Sequence, residues 1–205
     1  MFLERSLLLS GFGFYTPYPE RRINSLYFDS FNLSSIHESV EGFSRRIKKR
    51  VRWYGKLKSE CSSNLEFKIK KAHLTSKRVK ENYCRINPSA TAWSCFFSDQ
   101  KWQELCQTRY SFPRSIVCYK RTYYQSTNKK IRITFDEDIK IYDQYLHRAP
   151  NLNLSKLLHD KLVVEIKVSC KDHLLAKEMQ KVIPFSPRRF SKYCESHFQR
   201  KPIPC

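Results

Sequence analysis

Apolar and polar residues alternate with a period of two along much of this chain, and the alternation recurs in one unusual form. Over residues 46–54, Arg46, Lys48, Arg50, Arg52 and Tyr54 fall on one face of a predicted strand, while Ile47, Val51 and Trp53 fall on the other. Residues 65–70 repeat the arrangement, with Glu66, Lys68 and Lys70 opposing Leu65, Phe67 and Ile69. Residues 130–136 set Lys130, Arg132, Thr134 and Asp136 against Ile131, Ile133 and Phe135. In residues 164–169 the polar phase carries Glu165, Lys167 and Ser169. Residues 23–29 and 116–124, the latter with Arg121 in phase with Tyr119 and Tyr123, complete a set of about six strands. Helical periodicity is confined to residues 154–158 and 171–182, where Leu174, Leu175, Met179 and Val182 share a face and Pro184 lies beyond the end. Residues 75–110 mix Trp93, Phe96, Phe97 and Trp102 with polar positions and show no clear period; they read as helix plus loop. The pattern predicts a mainly β (α+β) chain, a single domain over residues 1–205 with helices in the minority.

Like charges directly opposite one another on neighbouring strands are destabilising, so a strand face of one sign needs a counter-charge. Alternation alone leaves two arrangements open. One is an antiparallel sheet with a solvated charged face. The other is a closed barrel whose basic lumen is filled by an anion, water and metal, since unpaired buried charges are costly.

Composition narrows the partners. The 205 residues hold 39 Lys+Arg against 19 Asp+Glu, a formal charge of +20, which points to nucleic acid, phospholipid headgroups or polyphosphates. With 14 Phe, 12 Tyr and 3 Trp the chain is too apolar for a disordered basic tail. Eight cysteines without a CxxC pair fit a reduced, cytoplasmic protein better than a disulfide framework. Leu7-Leu8-Leu9 is preceded by Glu4 and broken by Ser10 and Gly11, so no signal peptide is expected, and no run approaches the ~20 apolar residues of a membrane helix. An anionic membrane surface or a membrane protein remains a partner that the charge admits. Only four glycines occur, and neither GxxxxGK[ST] nor GxGxxG is present, so any phosphate must be held by side chains.

Two further motifs compete for attention. Cys170 with His173 and Cys194 with His197 have Cys-x-x-His spacing, as in zinc sites, but Cys170 falls in the apolar phase and Cys194 has no evident chelating partners. The basic run at residues 44–52 resembles an RNA-contacting segment. A stacking surface would place aromatics on the basic face, whereas Trp53, Phe67 and Phe135 lie on the opposite one; Tyr54, Tyr119 and Tyr123 are the exceptions, and no nucleic-acid partner is expected.

Seven short motifs, in order, carry a family resemblance: Asn24-Ser25-Leu26-Tyr27-Phe28-Asp29; Arg46, Lys48, Arg50 and Arg52 through Trp53-Tyr54-Gly55; Glu66-Phe67-Lys68; Tyr119 with Arg121; Arg132-Ile133-Thr134-Phe135-Asp136; Glu165-Ile166-Lys167; and Ser191-Lys192-Tyr193. The set, from about residue 22 to 194, resembles the VTC-type polyphosphate polymerase domain of the triphosphate tunnel metalloenzyme superfamily. The resemblance implies a closed antiparallel β-barrel of about eight strands around a basic tunnel with flanking helices. It implies Arg50 and Arg52 as catalytic phosphate contacts with Lys192 at the terminal phosphates. Lys48, Lys68, Arg121, Arg132 and Lys167 would bind substrate along the tunnel. Glu165 would ligate a divalent metal, Mn²⁺ or Mg²⁺. Glu66 and Asp136 share the inward phase and are further metal candidates, with ion pairing as their plainer role. Nucleoside triphosphate and inorganic polyphosphate are the implied ligands, and transfer of a phosphoryl group to a growing chain is the implied reaction, with triphosphate hydrolysis or non-catalytic polyphosphate binding as alternatives. One departure stands out: family members normally carry an earlier strand of inward-facing charges, and residues 1–14 show no charged alternation.

Overall fold

Strands form wherever β-branched and aromatic residues alternate with long polar ones, because such side chains fit a pleated, half-buried surface. The computed structural model describes residues 2–72, 74–107, 111–158, 162–169, 172–183 and 185–198. Its strands are β1 (Phe14–Tyr15), β2 (Arg21–Asp29), β3 (Arg45–Tyr54), β4 (Cys61–Lys71), β5 (Leu74–Ile86), β6 (Phe112–Ser126), β7 (Ile131–Asp143), β8 (Ser155–Leu157) and β9 (Val163–Val168). They share one nine-stranded sheet in the order β5-β4-β3-β2-β6-β7-β8, with β1 on β6 and β9 on β7. Among the described residues the order ends at β5 and β8, and no pairing joins them into the closed barrel that the resemblance implies. Both ends suit edges: β8 has three residues, and β5 is exposed from Leu74 to Asn82 and carries Lys77, Arg78, Lys80 and Glu81.

Packing divides the chain into two compact units. The larger comprises Arg22–Tyr119, Ile139–His159 and Phe190–Cys205. In it β2, β3, β4 and β5 pair antiparallel in sequence order. The apolar phase of these strands buries Leu26, Phe28, Val51, Trp53 and Leu65. Helices α3 (Trp93–Phe97) and α4 (Asp99–Gln107) cover that face, with Trp53 edge-on to Phe96 at 6.1 Å. The stretch read as helix plus loop thus begins with a thirteen-residue strand, β5, which escapes pattern reading because its first nine residues are exposed on both faces. Residues 154–158, read as helical, instead supply β8 on the edge of β7: Asn151 Oδ1 accepts from the amides of Asn153 and Leu154, and the turned chain pairs Leu157 with Lys140.

The smaller unit comprises Met1–Arg21, Lys120–Asp138 and Asp160–Arg189. Its core collects Leu3 and Leu7 of α1 (Phe2–Leu8), Phe14, Tyr124, Ile131, Ile133 and Phe135, with Met179 of α5 (His173–Val182). Leu175 and Val182 pack against this core as the helical pattern predicts, but Leu174 is 63% exposed. The segment that lacks charged alternation forms α1 and the two-residue β1, which pairs with Ser126 and Gln125. Gly13 makes that approach feasible: its φ is +60°, and a Cβ there would lie 3.0 Å from Thr127 Cγ2. Among the described residues no helix is long and apolar enough to cross a membrane.

Candidate functional site

In the larger unit, the polar phase of β2, β3 and β4 converges on one carboxylate. The register sets Tyr27 opposite Arg50 and Arg50 opposite Glu66. Arg50 Nε and Nη2 lie 2.8 and 2.6 Å from Glu66 Oε2, Arg52 Nη1 lies 3.6 Å from the same oxygen, and Lys77 Nζ takes Oε1 at 2.8 Å. Burial works against ionisation of Glu66, but Arg52, Arg50 and Lys77 outweigh it and hold its carboxyl at about 2. Arg50 also donates to Tyr27 Oη (3.2 Å), while Arg52 donates from Nε to Ser25 Oγ (3.1 Å) and from Nη2 to Tyr119 Oη (3.3 Å). Burial pushes the Tyr27 phenol up; the charges of Arg50, Arg52 and Lys192 together overcome this, leaving it below its ordinary value.

The last motif reaches this cluster through α6 (Lys192–Phe198). Tyr193 stacks on Tyr27 with centroids 5.0 Å apart, and its hydroxyl donates to Asp29 Oδ2 at 2.7 Å. The other oxygen of Asp29 accepts the Ser30 and Ser35 amides at the start of α2 (Ser34–Val40). That anchorage sets Lys192 Nζ over the Tyr119 ring at 4.8 Å. Lys48 Nζ donates to Ser191 Oγ at 2.9 Å. Lys68 is exposed and stands opposite Lys48 on one side and Lys77 on the other. Of the expected residues, Lys48, Arg50, Arg52, Glu66, Lys68 and Lys192 therefore share this unit. Both oxygens of Glu66 have cationic partners, the ion-pairing role named for it above.

In the smaller unit, the register of β7 with β9 places Arg132 opposite Lys167 and Thr134 opposite Glu165. Arg121 forks onto Asp136, with Nε at 2.5 Å from Oδ1 and Nη2 at 2.7 Å from Oδ2. Asp136 is fully buried and both its oxygens face this guanidinium, so it too reads as a counter-charge. Glu165 lies 3.8 Å from Arg121 and 3.4 Å from Lys167, and its side chain is 43% exposed. Across from it, Thr134 Oγ1 is buried without a hydrogen-bond partner. A part-exposed carboxylate in register with an unsatisfied hydroxyl oxygen suits a hard cation that takes its remaining ligands from phosphate and water. Among the described residues no three His, Cys, Asp or Glu side chains form a metal cage. For the zinc alternative, Cys170 lies outside the described residues and Cys194 Sγ is 3.8 Å from Lys48 Nζ.

Several contributors have no role assigned to them by the sequence. Lys77 sits on β5, where no alternation identifies a face. Tyr27 and Ser25 lie inside a quoted motif but carry no charge to mark them, and Thr134 is silent until its hydroxyl is seen unpartnered. Lys49 is a different case: a cation in the apolar phase of β3. It is 6% exposed, lies 5.2 Å from the centre of the Phe28 ring, and donates to Leu105 O and to Ser111 Oγ at 2.8 Å. Burial lowers its pKa to about 8. Its bonds tie β3 to the end of α4, a structural role on the face away from the Arg50 cluster.

The family model described as VTC domain matches residues 12–199. Comparison with curated proteins returns no match. Among solved structures, the PH1819 protein of Pyrococcus horikoshii OT3 is similar in fold, with a TM-score of 0.52 at 13% identity over 97% of this chain and 93% of that one.

Proposed function

The chain belongs to the VTC domain family, and from that premise we propose that it is a divalent-metal-dependent phosphotransferase that moves the terminal phosphoryl group of a nucleoside triphosphate onto a growing polyphosphate chain. The observation that carries this reading is the cationic cluster on the β2–β3–β4 face, where Arg50, Arg52 and the β5 residue Lys77 converge on Glu66 and Lys192 lies over the ring of Tyr119, whose hydroxyl accepts from Arg52. Such a cluster is completed by a multiply charged anion.

Phosphoryl transfer asks little covalent chemistry of a protein; it asks that charge on the transferring group be neutralised and that the reacting oxygens be held in line. Arg50 and Arg52 offer planar forks suited to bidentate phosphate contact, and the Glu66, Ser25 and Tyr119 bonds fix those forks before ligand arrives. Lys192, Lys48 and Lys68 supply compact charges that need no directional match. The terminal phosphate of an acceptor chain is already anionic near neutral pH, so no general base is needed to activate it. Glu165, with Thr134, would hold Mn²⁺ or Mg²⁺, which supplies neutralisation of phosphate oxygens when bound. Arg121, Arg132 and Lys167 are the phosphate contacts proposed for the β7–β9 face. The closed tunnel belongs to this proposal as well, as does a cytoplasmic location that gives access to nucleotide.

Incubation with ATP and Mn²⁺ followed by separation of the products tests the reaction. Chains that lengthen with time support the polymerase reading. Release of free phosphate without chains replaces it with a triphosphatase, and binding of tripolyphosphate without turnover replaces it with a polyphosphate-binding protein.

A further inference from the structure

We infer that the larger unit carries a docking surface for an anionic lipid bilayer, formed by Phe31, Phe112, Tyr145, Leu146 and Leu154 with cations beside them. Arg114 gathers the aromatic members. Its guanidinium carbon lies 5.9 Å from the centre of the Phe31 ring, 5.9 Å from that of Phe112 and 4.9 Å from that of Tyr145, and its Nη2 donates to Ser30 O at 2.7 Å. Arg114 itself is buried, whereas Phe31 is 64% exposed and Phe112 42%. Leu146 and Leu154 extend the patch and are 71% and 77% exposed. They leave one stapled loop: Asn151 Nδ2 donates to Asp143 O and to Leu154 O, each at 3.1 Å. Gln144 holds the same loop, donating from Nε2 to Asn151 O and accepting the Asn151 amide at Oε1, both at 2.8 Å, while its own amide donates to Arg114 O at 3.0 Å.

Single exposed apolar residues occur on every protein surface, but two features set this patch apart. The first is strain. Leu146 has a φ of +60°, a left-handed backbone that is unfavourable for a residue with a Cβ, and the bonded loop holds it there with its apolar side chain in water. The second is charge. Residues 144–159 include Arg148 and Lys156, both exposed, and no acidic residue; Lys58 Nζ donates to Asn153 Oδ1 of the same loop. Asp143, just ahead of the loop, accepts the Tyr145 amide through Oδ1 at 3.1 Å. Apolar side chains standing among cations match a bilayer surface, where the acyl boundary takes the former and anionic headgroups take the latter. A protein partner fits less well, because lysine is depleted from protein interfaces and leucine is under-represented among their anchors. The charge of +20 attracts the chain to such a surface, and the patch sets its orientation.

Co-sedimentation of the full chain with vesicles of phosphatidylcholine, with and without phosphatidylserine, tests the surface. The wild type should bind the vesicles that contain phosphatidylserine and bind those without it far less. Phe31→Ser/Leu146→Ser/Leu154→Ser should weaken that binding by about tenfold or more, and Arg148→Gln/Lys156→Gln by about tenfold. Leu174→Ser/Phe185→Ser, which removes exposed apolar residues of the smaller unit, should change it by less than about twofold. Leu146→Trp keeps the test open if the serine variant does not fold: its emission should shift to the blue on addition of phosphatidylserine vesicles, beyond any shift of the wild type. No binding by the wild type, equal binding to both kinds of vesicle, or an unshifted Leu146→Trp would each overturn the inference. So would wild-type binding by the triple serine variant, which would leave net charge alone as the cause, or an equal loss from the Leu174/Phe185 pair. A wild-type dimer in sedimentation velocity that the triple variant abolishes would overturn it in favour of a second copy of the chain as the occupant.

Discussion

Arg50 holds Glu66 through two nitrogens on a single oxygen, Nε at 2.8 Å and Nη2 at 2.6 Å from Oε2. The other oxygen, Oε1, receives Lys77 from the neighbouring strand. Glu66 therefore acts as the electrostatic pin of the cationic face, and its 3% side-chain exposure makes that role expensive to remove. Glu66→Gln should destabilise the protein by about 3 kcal/mol, because it leaves buried cations without their partner. Chemical denaturation measures the loss, and added tripolyphosphate should recover part of it.

The same carboxyl gives a pH signature. Its pKa falls from 4.5 to about 2 on folding, so the unfolded state binds the proton more tightly. The stability it confers is complete above pH 4.5 and is lost as the pH falls through about 2. Denaturation curves between those limits should show a loss of about 3 kcal/mol in the wild type that Glu66→Gln lacks.

Lys49 should behave in the opposite sense. Burial lowers its pKa from 10.5 to about 8, so between these values the unfolded state carries a proton that the folded state has shed. Stability should rise with pH across that window. Lys49→Met should abolish the rise without lowering stability at pH 7, since Ser111 Oγ still donates to Leu105 O at 3.0 Å and a buried charge is gone. A large loss of stability in this variant would show that the bonds of Lys49 outweigh the cost of burying it.

Thr134 and Glu165 face each other across β7 and β9, and their substitution should separate metal binding from folding. Glu165→Gln should remove the Mn²⁺-dependent part of tripolyphosphate affinity. Thr134→Val should weaken it in the same direction while leaving stability equal or higher, because it deletes a buried hydroxyl that has no hydrogen-bond partner. Calorimetric titrations with and without Mn²⁺, paired with melting curves, distinguish the two effects; unchanged metal dependence in both variants would remove the β7–β9 face from the metal role.

How much of this was legible in the sequence depends on how one-sided each strand is. Arg50, Arg52 and Glu66 alternate with Val51, Trp53 and Leu65, all buried, so simple phase counting puts the charged residues on one face. Lys49 breaks that phase, and nothing local marks a lysine whose partners, Leu105 and Ser111, are more than fifty positions away. β5 offers no buried face over most of its length, so Lys77 could not be assigned a direction. The helical reading of residues 154–158 failed because pairing with Lys140 and Ile141 on β7, a long-range contact, decides the backbone there. Closure of the sheet is likewise a matter of which edges meet, and alternation carries no information about edges.

The most direct measurement of the central claim is the affinity of tripolyphosphate for Arg52→Gln/Lys192→Gln, a variant that keeps the Arg50–Glu66–Lys77 pairing in place. Two charge-assisted contacts removed from the cluster should weaken binding by about a hundredfold at a temperature where both proteins are folded, while the melting temperature without ligand falls because Arg52 gives up its buried bonds to Ser25 and Tyr119. Binding as tight as that of the wild type would contradict the assignment of this face as the phosphate site.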